Sequence, residues 1–195
     1  MYIKNATIAV IFRVIFIIVC GAGLVVKLMD SGTGPDVLLG DFALAANALS
    51  LIYFAYLVIA RPGYERGTLR GAVTIYMILT FIVYYYIEFG AGGISEGGLS
   101  LSGYLLWFIS PVMAFIDYLL FCPKGWFTSY CPVIWAVIPV LFNVAVYIVN
   151  LTGTGIKRIA YFDIMGMNHL LTLLVFLGIS YLLFLADSLM AGRRR

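Results

Sequence analysis

The chain has 195 residues, 64% of them hydrophobic and 11% charged, with a mean hydropathy of +1.07. Soluble domains are about 45–50% apolar and about 25% charged, and a chain of this size cannot hide the excess inside itself. That excludes a soluble domain, a disordered chain and a disulfide-stapled secreted module, while a scattered net charge of +3 excludes a nucleic-acid binder.

A helix needs about 20 apolar residues to cross ~30 Å of hydrocarbon. Six segments qualify: 5–28, 38–60, 69–90, 100–121, 131–151 and 165–188. The expected fold class is an all-α integral membrane protein, a single transmembrane domain over 1–195 formed by a bundle of six transmembrane helices. The connections carry turn formers, such as Asp30-Ser-Gly-Thr-Gly-Pro35, Arg61-Pro-Gly63, Pro123-Lys-Gly125 and Thr152-Gly-Thr-Gly155. Strand-like alternation is absent, so a β-barrel is not expected. The first segment has some features of a signal peptide, but Arg13 interrupts its apolar run and Val19, not a small residue, precedes Cys20. It reads as a retained helix. Pro111 and Pro139 are expected to kink the fourth and fifth helices.

Orientation follows from basic residues near helix ends. With the N-terminus inside, the cytoplasmic side holds Lys4, Arg61, Arg66, Arg70, Lys124, Arg193, Arg194 and Arg195, and the outer side holds Lys27, Lys157 and Arg158. Both termini are therefore expected in the cytoplasm. Cys122 and Cys131 then face the cytoplasm as reduced thiols, open to palmitoylation in principle. Boundary aromatics such as Tyr104, Trp107, Trp126, Phe127 and Tyr130 read as interfacial anchors.

Charge inside hydrocarbon is costly and asks for a partner. Arg13 lies about eight residues, ~12 Å, from the cytoplasmic end of the first helix, and Asp117 about five residues, ~8 Å, from that of the fourth. Compatible depths predict an Arg13–Asp117 ion pair. Asn47 and Asn143 lie deeper and suit hydrogen bonds between helices. Asp163 is placed to cap the sixth helix. His169, about a turn further on, is either a structural residue or a general base, since its pKa lies near working pH. Thr172, Ser102 and Ser110 are possible nucleophiles, but nothing in the sequence brings one within reach of His169. One histidine and three cysteines give no metal set, and no cofactor motif occurs in a suitable context.

Several features together carry a family resemblance. These are Arg13 in the first helix, Phe42-Ala-Leu-Ala-Ala-Asn47 in the second, and Pro111-Val-Met-Ala-Phe-Ile-Asp117-Tyr-Leu-Leu-Phe121 before Cys-Pro123-Lys124-Gly125. Trp135, Pro139 and Tyr161-Phe162-Asp163 follow in order. The pattern resembles the bacterial predicted six-transmembrane protein family, which is related to the androgen-induced protein family of eukaryotes. The resemblance implies a bacterial plasma-membrane protein. The eukaryotic relatives are intramembrane hydrolases of fatty-acid esters, with a threonine on the second helix and a histidine on the fourth. Here the threonine position falls on Ala43 and the histidine position on Leu106 or Trp107, so that pair is missing.

The expected function is accordingly non-catalytic: a six-helix membrane protein holding a lipid or other apolar ligand between helices, with the bilayer as its partner. One alternative is hydrolysis of a lipid ester, with His169 as base and Thr172 or Ser110 as nucleophile. A second is a small transporter using Arg13 and Asp117. Substrate and oligomeric state are not legible.

Overall fold

A computed structural model describes residues 5–31, 42–61, 67–90, 100–151 and 169–192. They form six helical segments: α1 (Ala6–Ser31), α2 (Phe42–Ala60), α3 (Gly67–Gly90), α4 (Leu101–Phe121), α5 (Cys131–Leu151) and α6 (His169–Gly192). No strand occurs among the described residues. Ala6–Met29, α2, α4 and Leu173–Gly192 are long and apolar enough to cross a membrane, while Gly67–Ile82 and Cys131–Phe142 are shorter apolar stretches. Helices of that length and apolarity make this an all-α integral membrane protein.

Local chemistry sets the helix ends. Asn5 Oδ1 accepts the N–H groups of Thr7 and Ile8 at 3.0 and 3.3 Å, capping α1. Ser100 Oγ accepts the Gly103 N–H at 3.2 Å and opens α4. α2 stops at Arg61, whose φ of 41° is left-handed, just before Pro62.

Successive helices run antiparallel. The start of α1, the start of α3, the end of α4, the start of α5 and the end of α6 share one end of the bundle. Phe12 and Phe121 pack there at 5.6 Å between ring centroids. Gly67 abuts Trp126 and Phe127, and Gly125 abuts Ala191. α3 is the central helix, packed against α2, α4, α5 and α6, while α1 lies on α2 and α4. One core joins Phe42, Tyr76, Tyr118, Phe127, Trp135 and Phe176. The other joins Phe16, Cys20, Phe54, Met77, Leu106 and Ala114. Outward positions are apolar as well, including Ile11, Ile18 and Val25 on α1 and Val133, Val137 and Leu141 on α5. That is the surface a hydrocarbon solvent selects.

The expected kink at Pro111 takes a specific form. Residues Tyr104–Ile109 are wound as a π-helical turn, and the Ser110 N–H bonds to the Leu105 carbonyl, five residues back. In that register the next donor would be Pro111, which has no N–H, so the Leu106 carbonyl loses its helical partner. Asn47 Nδ2 supplies the bond from α2 at 3.0 Å and spends its other proton on the Ala43 carbonyl at 2.8 Å. α5, by contrast, continues through Pro139.

Candidate functional site

The expected Arg13–Asp117 ion pair is present, with Nε 2.9 Å from Oδ1. It is half of a larger cluster. Arg70, from the first turn of α3, places Nη2 3.1 Å from Asp117 Oδ2. Its Nη1 also donates to the Phe121 carbonyl at 3.4 Å. One carboxylate thus ties three helices together. The side chains are 12%, 1% and 6% exposed for Arg13, Asp117 and Arg70.

Arg70, counted in the sequence among the basic residues near helix ends, is thus a buried charge. The signal was in the sequence. Gly67, Arg70, Gly71 and Thr74 recur at helical spacing and form one face. The small glycines let α3 approach its neighbours, and Arg70 goes in with them.

A second buried carboxylate, Asp187 on α6, was not anticipated. Its Oδ1 accepts the Tyr118 hydroxyl at 2.9 Å. Its Oδ2 accepts the backbone N–H groups of Gly125, Trp126 and Phe127 at 2.8, 3.1 and 3.3 Å. An anion near a helix C-terminus opposes the helix dipole, so Asp187 needed external donors, and the α4–α5 connection provides them. Gly125, at φ +84°, makes the turn that aims these groups inward. Lys124 folds back, donating to the Tyr118 carbonyl at 2.6 Å and lying 3.3 Å from its ring centroid.

The thiols are not at a wet face. Cys122 is 1% exposed and Cys131 fully buried. Burial pushes the Cys122 thiol pKa up, and the nearby Arg70 and Lys124 charges only partly oppose it. Cys131 Sγ accepts the Thr128 N–H at 3.4 Å and lies 3.1 Å from its hydroxyl. Phe127, expected as an interfacial anchor, is 5% exposed and packs edge-on against Trp135.

Asn47 and Ser110 lie deeper. Cys20 Sγ is 3.5 Å from Asn47 Oδ1. Ser110 Oγ is fully buried, with the Cys20 thiol as its polar neighbour. Ala43 and Leu106 are each 1% exposed, and Asn47 bridges their carbonyls, while Trp107, the other position expected to replace the histidine, is partly buried. His169 and Thr172 lie in the first turn of α6 and Asn143 in α5, but their side chains fall outside the described residues, as does Asp163 altogether. Among the described residues, no three His, Cys, Asp or Glu side chains come together around a metal position.

Chemically, the ionic cluster is a clamp. Asp117 spends both oxygens on guanidinium groups, a charge-assisted arrangement that fixes the three side chains against one another. Compared with family models, curated proteins and solved structures, the chain matches none.

Proposed function

We propose that the protein is a six-span, single-domain membrane protein with both termini in the cytoplasm, acting without catalysis by holding a lipid or other apolar ligand against its helices. The observation that carries this reading is the Asp117 carboxylate shared between Arg13 and Arg70. The most deeply placed charges are committed to each other, which suits architecture better than turnover. A transport role would need Arg13 and Asp117 to line a wet path, and their 2.9 Å contact speaks for the clamp instead. The resemblance to the bacterial predicted six-transmembrane family fits this reading and a plasma-membrane location. Ala43, with Leu106 or Trp107, at the positions of its relatives' hydrolase pair fits the loss of that activity.

One observation favours a second reading. Ser110 Oγ is buried directly beside a π turn, a geometry frequent at functional sites. As a lipid-ester hydrolase, the protein would use Ser110 or Thr172 with His169 as base. A lipophilic fluorophosphonate probe separates the two. The folded protein in detergent should resist labelling and should carry co-purifying lipid. Labelling that vanishes in Ser110→Ala, Thr172→Ala or His169→Ala would establish the hydrolase instead.

A further inference from the structure

Arg13 is only half used by Asp117. Its Nε donates to the carboxylate at 2.9 Å, while Nη1 and Nη2 carry no hydrogen bond to the described chain and reach the protein surface. A guanidinium offers two donor edges. With Nε committed, the Nη1–Nη2 edge remains, and that edge matches two oxygens of a phosphate.

The surroundings narrow the ligand. α1 exposes Ile11, Val14 and Ile15, and α4 exposes Val112 and Phe115. An anion free in water has no apolar surface to gain there, whereas a phospholipid would lay its acyl chains along those residues. Depth agrees. Asp117 lies four residues before the end of α4 at Phe121, or about 6 Å. The cluster thus sits just inside the boundary between headgroups and hydrocarbon, a depth that a modest local thinning of the leaflet brings to phosphate level.

The geometry points to Arg13 as the anchor for the phosphate of a phospholipid in the leaflet at the α1 start, held by Nη1 and Nη2 while Asp117 fixes the guanidinium through Nε. This rests on the lipid-holding reading above and names the part of the lipid that is recognised.

The test is native mass spectrometry of the full chain in detergent. It is titrated with dioleoylphosphatidylglycerol, with dioleoylglycerol (the same chains without phosphate) and with inorganic phosphate. The wild type should bind one phosphatidylglycerol about tenfold more tightly than the diacylglycerol. Arg13→Gln should erase that preference, and Arg61→Gln, which removes an exposed cation at the same end, should keep it. Arg13→Lys retains a charge for Asp117 but lacks the second pair of donors. It should lose the preference too, and it carries the test if Arg13→Gln does not fold. Equal affinity for the two lipids in the wild type overturns the phosphate anchor and leaves the lipid-holding reading standing, as does a preference that survives in both Arg13 variants. Displacement of lipid by inorganic phosphate at equal affinity makes the ligand an aqueous anion and overturns the proposal. Binding of neither lipid overturns both readings.

Discussion

The indole of Trp135 lies directly on Gly71, so that a Cβ at position 71 would overlap the ring. The ring has no room to swing, because its Nε1 donates to the Thr68 carbonyl at 2.7 Å and its own carbonyl accepts the Tyr76 hydroxyl at 2.7 Å. This contact sets how closely α5 approaches the central helix α3.

Gly71→Ala should therefore cost about 1–3 kcal/mol or more through overpacking, read as a lowered Tm in detergent. Trp135→Phe should also destabilise the protein. In the double variant the smaller ring should make room for the methyl, so the two losses should sum to more than the double variant shows. Simple additivity would mean that the two side chains do not meet.

Removing the shared anion should be the most damaging change at the basic end. Asp117→Asn removes the carboxylate that two largely buried guanidinium groups share, at a cost of about 3–5 kcal/mol. Replacing Arg13, Arg70 and Asp117 together with Leu, Met and Leu should recover most of that stability. A Tm for Asp117→Asn within a degree or two of wild type would show that the clamp is dispensable.

Asp187 holds the α4–α5 connection through its three backbone donors. Asp187→Asn keeps a carbonyl oxygen for them and should lose about 1–2 kcal/mol. Asp187→Ala abandons all three and should free the connection. Limited trypsin cleavage after Lys124 would report it, rising severalfold in the alanine variant ahead of any global unfolding.

Cys122 should behave as a protected thiol. Its raised pKa means that the folded chain keeps the proton at pH values where an exposed cysteine loses it. The folded state then binds more protons than the unfolded one, so stability falls as pH climbs through and above the ordinary thiol range. In a Cys20→Ala/Cys131→Ala background, maleimide labelling should be far slower than for the unfolded chain at pH 8, and the labelling profile should be displaced to higher pH.

Asn47 and Pro111 should be coupled. Asn47→Ala leaves the Leu106 carbonyl without its donor, a loss of about 1–3 kcal/mol. Pro111→Ala restores a backbone N–H that can take up that carbonyl, so Asn47→Ala should cost less in the Pro111→Ala background. An unchanged cost there would mean that Asn47 acts through its bond to Ala43 alone.

Some of this architecture was legible without coordinates. The apolar runs marked the helices because in hydrocarbon a backbone must satisfy its own hydrogen bonds, so span length follows from bilayer thickness. Arg13 and Asp117 announced each other because a charge at that depth needs an opposite charge at the same depth. Arg70 was counted only towards orientation and Asp187 was passed over, because each lies near a helix end, where a charge ordinarily reaches water. The π turn was unforeseen because Pro111 predicts a disturbed helix without saying which register replaces the lost bond.

By itself, then, the sequence determined that this is a helical membrane protein, roughly where its apolar helices run, and that one arginine and one aspartate must answer each other. Only the tertiary structure decided that Asp117 serves two arginines, that Asp187 gathers three loop amides, and that Asn47 repairs the carbonyl Pro111 leaves open. The first set depends on transfer from water to hydrocarbon, which each residue contributes independently of its partners. The second depends on which helix faces meet, and residues 59 to 104 positions apart, such as Asn47 with Leu106 and Arg13 with Asp117, meet only once the bundle has packed.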